Sequence, residues 1–301
     1  MRALIVLLAL AASPPAPSAA AQEIRDPGTG AASGGALWIG TPPREPPRRV
    51  VTLAPSLTDM VVALGQAKRL VGVTRYDDAP EVAALPRVGG FLDPNPEVVI
   101  ALAPDLVLWV TDGGALPAVR RLADVARASR GRAFPILAVP VVSVADVLAT
   151  ARLVGAALGD PAGGERLAAD LAAGVERVRA RAAGLPRPRV LFVVGREPLV
   201  VAGPGSFPDE LLRLAGAENA VAGERPWPVY PLELAVADDP DVVVDAAVNE
   251  PADGIARISA VPAVRRGAVV RLANDDALRP GPRMVRGLEA LAAALHPEAR
   301  R

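Results

Sequence analysis

An internal repeat is the feature that most constrains how this chain can fold. An aromatic residue is followed six positions later by a glutamate and, seven positions after that, by a Pro-Asp pair and an apolar run. Phe91 and Glu97 begin one copy, and Trp227 and Glu233 begin the other, 136 residues away (233 minus 97). A spacing this long is not a solenoid period, which measures roughly 20 to 50 residues. It predicts two similar lobes, and a cleft between two lobes is a common place for a ligand.

A second, looser repeat supports the same division into two related halves. It joins residues 59–72 to residues 210–223. Each copy has an acidic first residue, an apolar stretch of helical character, a glycine, and another glycine seven residues further on.

Composition narrows the class of protein. The chain has 301 residues, 51% of them hydrophobic, which is enough for about two domains with cores of their own. Its 33 basic and 33 acidic residues balance, so no overall positive field favours nucleic acid or an anionic membrane. We expect a monomer that needs no cofactor and binds no nucleic acid.

The N-terminus has the pattern of a secretory signal peptide. Arg2 precedes an apolar run at 3–12, and Ala19 and Ala21 occupy the small-residue positions of a cleavage site, which predicts cleavage after Ala21. The run is too short to span a membrane, and no other segment of 18 or more apolar residues follows. Because the chain has no cysteine, it offers no thiol for lipid attachment or disulfides. We therefore expect a periplasmic protein whose mature chain has no membrane span.

Strand-like and helix-like segments alternate along the rest of the chain, at short spacings. This alternation predicts an α/β fold of two Rossmann-like lobes with parallel central sheets. We expect a flexible leader at 22–47, an N-terminal lobe at 48–159 and a C-terminal lobe at 186–301. Between the lobes, 160–185 predicts one long bridging helix, capped by Asp160 with proline in its first turn.

Enzyme motifs are poorly represented. The chain has no G-x-x-x-x-G-K-[ST] phosphate loop, and its Gly-rich turn at 203–208 carries a proline where a dinucleotide-binding motif has its third glycine. His296, the single histidine, lies five residues from the end and is expected to be a solvated tail residue. The acidic pairs 77–78 and 275–276 fit no EF-hand pattern and are expected to be exposed loop acids.

The few aromatic residues are better candidates for a binding site. Prolines on both sides hold Trp227 in an extended segment, which makes its ring a preorganised platform for a flat ligand. Phe91 is its counterpart in the other repeat, and Tyr76 and Tyr230 are two further rings on predicted loops. These side chains suit a large, partly apolar ligand.

The two repeated glutamates suggest a second surface. Glu97 and Glu233 each begin a short predicted helix, where a carboxylate favours the helix N-terminus by ~0.3–1 kcal/mol. Capping explains one glutamate but explains two at matched positions less well. If the lobes are related by a pseudo-twofold axis, both carboxylates stand on one face, where a partner with paired arginines could dock.

Several segments resemble the periplasmic cobalamin-binding proteins of ABC importers, within the helical-backbone class of substrate-binding proteins that also serves siderophores and haem. The matching segments are 49–59, 71–77, 88–97, 103–107, 226–228 and 279–283.

The resemblance implies two lobes bridged by one helix, with a corrin ring in the cleft between aromatic loops. It implies that Phe91 and Trp227 flank the ring, that Tyr76 lies nearby and that Asp275 is a polar contact from the second lobe. The chain departs from some cobalamin binders that carry a tryptophan at the position of Phe91.

The resemblance also implies a partner. Glu97 and Glu233 match the two glutamates that pair with arginines of the transmembrane permease subunits. The expected function is to capture cobalamin, or a related corrinoid, and deliver it to an ABC permease.

Two alternatives stay open. The same architecture could bind haem, ligated by Tyr76 or Tyr230, or a ferric siderophore whose carboxylates pair with Arg75, Arg196 or Arg279. The other is an enzyme of the nucleotide-sugar type on a two-lobed Rossmann scaffold. Nucleotide binding by the mature protein would favour the enzyme.

Overall fold

The computed structural model describes residues 35–111, 115–131 and 134–297. Its strands form two five-stranded sheets, one in each half of the chain. The predicted signal peptide and the first part of the predicted leader lie outside the described residues.

The N-terminal lobe contains a mainly parallel sheet with strand order β1-β5-β4-β2-β3. Strands β2 to β5 pair in parallel, and β1 runs antiparallel to β5 at the edge. Strands β4 and β5 are buried along their whole length, as expected for strands covered on both faces. The five strands are β1 Leu37–Ile39, β2 Val50–Thr52, β3 Leu70–Gly72, β4 Leu106–Val110 and β5 Ile136–Val139.

The edge strand β1 lies inside the segment that the sequence predicts to be a flexible leader. Leu37 pairs with Ala138 and Ile39 pairs with Ile136. The end of the leader is therefore part of the N-terminal sheet, because an otherwise open edge of that sheet is available to pair with it. The domain boundaries themselves stay predictions.

Four α-helices belong to the N-terminal half: α1 Pro55–Ala63, α2 Pro96–Ala101, α3 Leu116–Arg130 and α4 Val144–Ala157. The sequence pattern predicts Ser56 as the N-cap of the first helix, but α1 already begins at Pro55. Ala54 is its N-cap, and Pro55 takes the first helical position, where its fixed φ and missing N–H cost nothing.

The C-terminal lobe repeats the design with strand order β10-β9-β6-β7. Strands β8 and β9 pair in parallel with β6, and β10 pairs in parallel with β9, whereas β7 forms an antiparallel hairpin with β6. The strands are β6 Arg189–Arg196, β7 Leu199–Val201, β8 Glu218–Asn219, β9 Val242–Asp245 and β10 Val269–Arg271. The helices are α6 Phe207–Leu214, α7 Leu232–Ala237, α8 Pro262–Arg265 and α9 Met284–Leu295.

Helix α5, Pro161–Ala182, joins the two lobes. Its 22 residues give a length of about 33 Å, and the Asp160 carboxylate accepts the Gly163 N–H over 2.8 Å as its N-cap. It packs tightly on α4, because a Cβ added to Gly155 would lie 2.5 Å from the Cα of Gly164. The helix is therefore fixed to the N-terminal lobe along its first turns.

The largest apolar cluster runs from the N-terminal sheet through α4 and α5 to α6 and α9 of the C-terminal lobe. A second, smaller cluster fills the C-terminal sheet on the side of α7 and α8. The two lobes thus share a continuous core around the bridging helix. Within the described residues, no helix is both long and apolar enough to cross a membrane.

Candidate ligand-binding cleft and docking face

Tyr76 lies in the loop that follows β3. Thr74 donates its backbone N–H and its hydroxyl to Asp77 Oδ2, over 2.7 and 2.6 Å. This buried contact closes a tight turn and leaves Tyr76 38% exposed. The ring therefore stands beyond the carboxyl end of a parallel strand, the edge at which open α/β sheets bind ligands.

The loop that carries Phe91 lies directly against this turn. Arg75 donates to Asp93 Oδ1 over 2.6 Å, and its guanidinium carbon is 5.0 Å from the centre of the Tyr76 ring. A Cβ on Gly90 would lie 3.1 Å from the Tyr76 ring and 2.5 Å from Asp93. The two loops are in contact here, so Tyr76 and the Phe91 loop are brought together.

Phe91 itself is half-buried against the core of the N-terminal lobe. Its carbonyl oxygen accepts a hydrogen bond of 3.0 Å from Nε1 of Trp109, whose ring is fully buried in β4. Trp109 thus fixes the backbone of the Phe91 loop. Trp109 is not among the site residues predicted from the sequence, although a polar ring nitrogen inside a buried strand signals a need for a partner.

Trp227 lies on the other lobe, in a strip of chain beside β7. The N–H of Gly203 donates to the carbonyl of Pro226 over 2.8 Å, and the N–H of Tyr230 donates to the carbonyl of Leu199 over 2.8 Å. These bonds hold the strip in place and leave Trp227 39% exposed. No hydrogen bond, ion pair or ring stacking within the described residues joins it to an aromatic residue of the N-terminal lobe, so its place across the cleft stays a prediction.

Asp275 belongs to an ion cluster that crosses between the lobes. Arg279 donates to Asp275 over 2.7 Å, and it also reaches Asp78 at 3.0 Å and Asp59 at 3.2 Å on the N-terminal lobe. Arg283 donates over 2.8 Å to each of the same two N-terminal carboxylates. The predicted ligand contact Asp275 is therefore held by an arginine that is itself anchored in the opposite lobe.

The two N-terminal acids of this cluster differ in their protonation energetics. Burial raises the pKa of Asp59 above its ordinary value, because loss of hydration outweighs the attraction of Arg279 and Arg283. Burial also acts to raise the pKa of Asp78, but the hydrogen bonds and charges of the two arginines together outweigh it and lower that pKa. Asp78 is the more exposed of the two carboxylates.

The arginines suggested for binding ligand carboxylates are all paired within the protein. Arg75 is bonded to Asp93, and Arg279 to the cross-lobe cluster. Arg196 is fully buried and holds Asp245 through contacts of 2.8 and 3.0 Å. Each guanidinium already has a carboxylate partner, which lowers its value as a receptor for another anion.

Tyr230 and His296 are both less available than the sequence indicates. Tyr230 is buried and its hydroxyl donates to Asp238, so that burial, together with this partner, raises the pKa of Tyr230 to about 12. His296 was expected to be a solvated tail residue, and that expectation is wrong. Its ring is buried, with Nε2 2.8 Å from the carbonyl oxygen of Ala215.

The paired acids are also not simply exposed loop residues. Asp77 is buried in the turn that carries Tyr76, and Asp276 is buried with its carboxylate 3.4 Å from Arg286. Within the described residues, no cluster of three or more His, Cys, Asp or Glu side chains could hold a metal ion.

The long repeat corresponds to the same local structure in each lobe, in which an arginine donates to the carbonyl that caps a short helix. In the N-terminal lobe, Arg49 donates to the carbonyl of Leu102, the C-cap of α2, over 2.7 Å. In the C-terminal lobe, Arg189 donates to the carbonyl of Asp238, the C-cap of α7, over 2.6 Å. Leu102 and Asp238 are 136 residues apart, which is the offset of the sequence repeat.

The equivalence extends into the next residues. Ala103 and Asp239 follow these caps and are the two non-glycine residues with positive φ in the described chain, at 45° and 40°. The Pro-Asp pair then places Asp105 and Asp241 where their carboxylates accept backbone N–H groups at the start of β2 and β6. The repeat is thus present in the backbone conformation as well as in the amino-acid sequence.

Glu97 and Glu233 therefore occupy equivalent places. Each is exposed in the first turn of a six-residue helix, α2 or α7, that leads into this local structure. Beside Glu97 lies a shallow cavity of about 510 Å³ that Arg75, Arg87 and Asn95 also line. Beside Glu233, the side chain of Leu234 is 49% exposed. Both acidic residues are exposed.

Comparison with known proteins agrees with this architecture. A family model described as periplasmic binding protein matches residues 50–275, from β2 to the Asp275 loop. The chain belongs to the periplasmic binding protein family. In this periplasmic binding protein, the matched region includes most strands of both lobes and the bridging helix α5, and it ends before Arg279, Arg283 and helix α9.

Two curated relatives illustrate the family. The vitamin B12-binding protein of Pectobacterium carotovorum is 26% identical over 254 residues, covering 83% of this chain and 88% of the relative. An uncharacterized ABC transporter substrate-binding lipoprotein of Bacillus subtilis, YvrC, is 29% identical over 266 residues, covering 85% of this chain and 82% of the relative.

Solved structures confirm the predicted fold. The periplasmic vitamin B12-binding protein BtuF of Vibrio cholerae matches 85% of this chain and 99% of its own, with a TM-score of 0.72 and 24% identity. The periplasmic haem-binding protein RhuT of Roseiflexus matches 84% of this chain and 99% of its own, with a TM-score of 0.73 and 29% identity. The two-lobed α/β architecture of this periplasmic binding protein is therefore shared with proteins of different ligands.

Proposed function

We propose that this periplasmic binding protein captures cobalamin, or a related corrinoid, in the cleft between its lobes and delivers it to an ABC permease. No bond is made or broken in this role. The Tyr76 and Trp227 side chains supply exposed ring surface, and Phe91 adds a half-buried ring beside Tyr76. Each aromatic ring that a ligand covers contributes a few kcal/mol at most, at ~25 cal/mol for each Å² removed from water.

The pairing of the three candidate arginines is the observation that carries this choice of ligand. Arg75, Arg196 and Arg279 each hold an aspartate. A carboxylate siderophore, or the propionates of haem, would have to compete with those partners for a guanidinium. A corrinoid with amide side chains needs no free cation, and its flat ring suits exposed aromatic surface. The relatives named for vitamin B12 binding support the same choice.

A titration of the purified protein with cyanocobalamin, cobinamide, haemin and a ferric siderophore tests this proposal. We expect the corrinoids to bind most tightly by calorimetry. Binding of haemin or the siderophore, with no heat from either corrinoid, would overturn the corrinoid assignment. Saturable binding of a nucleotide or nucleotide sugar in the same assay would instead favour the enzyme hypothesis.

Haem is the second candidate, and one observation favours it. Tyr76 presents an exposed phenol at the edge of the cleft, and a tyrosine oxygen can ligate haem iron. Tyr230 is a poor alternative, since it is buried and bonded to Asp238. Substitution Tyr76→Phe separates the two ligands, because it keeps the ring and removes the ligating oxygen. We expect it to leave cobalamin affinity within about twofold, whereas a haem ligated by Tyr76 would lose its bound absorption spectrum.

The delivery step depends on Glu97 and Glu233. Their equivalent, exposed positions on the two lobes fit a permease whose two halves each offer an arginine. We expect Glu97→Ala combined with Glu233→Ala to leave ligand affinity intact and to impair uptake in vesicles that contain the permease. Exposed Glu81→Ala combined with Glu224→Ala is the matched control, with one acid from each lobe. Normal uptake by the first variant would remove the docking role.

Export is part of the same proposal. Mass spectrometry of the protein from the periplasmic fraction is expected to show a first residue near Gln22. A chain that still begins at Met1 would contradict cleavage of the predicted signal peptide.

A further inference from the structure

The first helix of each lobe carries an acidic residue that reaches into the other lobe. On α1, Asp59 accepts hydrogen bonds from Arg279 and Arg283 of the C-terminal lobe. On α6, Glu210 accepts the backbone N–H of Val144, at the start of α4, over 2.9 Å. Asp59 and Glu210 begin the two copies of the looser sequence repeat. The boundary between the lobes is therefore fixed from both sides by equivalent elements.

The contact made by Arg279 and Arg283 is more extensive than the single hydrogen bond of Glu210. The side chains of Asp59 and Arg279 are 6% and 9% exposed, and that of Arg283 is 17% exposed. Each guanidinium contacts both N-terminal carboxylates, so neither can move away without breaking two ion pairs. Charged groups buried in this way are held in a single geometry by their need for partners.

The backbone of the same segment packs against α1 without a gap. A Cβ added to Gly281 would lie 3.2 Å from the Cβ of Ser56 and 3.3 Å from its backbone. Gly281 lies between Arg279 and Arg283 in the sequence, so the close approach and the ion pairs act at one place. The lobes are in direct contact there and cannot slide past each other freely.

We propose that Arg279 and Arg283 are positioning residues for the cleft. They set the spacing of the two lobes, and Arg279 also fixes the orientation of Asp275, which it contacts at 2.7 Å. The cleft is thus preformed by long-range ion pairs as well as by the bridging helix, which limits the ordering cost of binding. The effect on cobalamin affinity rests on the proposed function, whereas the effect on lobe spacing does not.

Spin labels measure the distance between the lobes without any ligand being bound. Because the chain has no cysteine, two cysteines can be introduced and labelled without reaction at any other thiol. Ala84→Cys on the N-terminal lobe and Ala256→Cys on the C-terminal lobe are exposed positions for a pair of labels. Pulsed electron paramagnetic resonance then measures the distribution of the distance between the lobes.

In this background, the combined variant Arg279→Gln and Arg283→Gln is expected to at least double the width of the distance distribution. The matched control is Arg286→Gln, which removes an arginine from the same part of the chain but whose partner, Asp276, lies within its own lobe. The control is expected to keep the wild-type distribution. A width equal to wild type in the double variant, with circular dichroism showing a folded chain, would overturn the proposal.

A second variant covers the case in which the double variant does not fold. Asp78→Asn removes a more exposed N-terminal partner and leaves Asp59 paired with both arginines. It is expected to broaden the distribution by a smaller amount and to weaken cyanocobalamin binding about twofold to fivefold. An unchanged distribution would count against the proposal. If wild type binds no corrinoid, the proposed function fails, and the distance measurement alone still decides the positioning role.

Discussion

The Trp227 platform makes the sharpest prediction about binding. Substitution Trp227→Ala removes a side chain whose residue is 39% exposed in the free protein. A tryptophan has roughly 250 Å² of surface to bury, so about 100 Å² is open to a ligand. At ~25 cal/mol per Å², complete coverage of that surface is worth about 2.5 kcal/mol, and half coverage about 1.2 kcal/mol. We therefore expect cobalamin affinity to fall by about 8-fold to 70-fold.

The assay is isothermal titration calorimetry with cyanocobalamin, run beside thermal unfolding of each variant. Trp227→Phe keeps a ring and is expected to lose only part of the affinity. Trp38→Ala, on the edge strand β1, removes the same residue type from the outer edge of the N-terminal sheet and is expected to leave affinity unchanged. An affinity of Trp227→Ala within twofold of wild type, with an intact fold, would refute the reasoning that this ring contacts the ligand.

Three further predictions concern the framework. Asp105→Ala and Asp241→Ala each remove a carboxylate that accepts a backbone N–H at the start of a central strand. Each substitution is expected to lower the free energy of unfolding by ~1–3 kcal/mol in urea titrations. An unchanged urea midpoint in both variants would contradict the stabilising role of these two carboxylates. Because the pKa of Tyr230 is raised to about 12, the folded state keeps a proton that the unfolded state loses above pH ~10, and the free energy of unfolding is expected to fall as the pH rises between these values. Absorbance titration near 295 nm should show that Tyr230 ionises at a raised pH, and Asp238→Asn should lower that pH. Gly155→Ala would place a Cβ 2.5 Å from the backbone of α5 and is expected to lower the free energy of unfolding by ~1–3 kcal/mol. A melting temperature equal to that of wild type would contradict this prediction.

Much of the cleft framework could be predicted because it follows from local patterns. The apolar runs predict β4 and α6 with the bounds that the structure has, Leu106–Val110 and Phe207–Leu214. Asp160 with Pro161 predicts the start of α5, since a capping carboxylate and a proline at the first position act within one turn.

Other elements could not be read from local patterns. Strand β7 has three residues and follows a proline, so only its pairing with β6 and with Val229 makes it a strand. The apolar pattern predicts a terminal helix from Gly281, but α9 begins at Met284, because the residues before it contact the other lobe. His296 looks like a tail residue in the sequence but packs against Ala215, which is 81 residues away.

By itself, the sequence determined that this periplasmic binding protein has two related α/β halves, a long helix between them, and one aromatic residue and one glutamate at matched positions of each half. Those features depend on spacing along the chain, which the sequence contains completely. Only the tertiary structure decided which charges are satisfied. Asp59 and Arg279 are 220 residues apart, and their pairing depends on how the lobes meet. Arg75 and Arg196 find their partners, Asp93 and Asp245, within their own lobes. Burial makes such a partner necessary for Arg196, Asp59 and Arg279, and only the fold decides which partner is near.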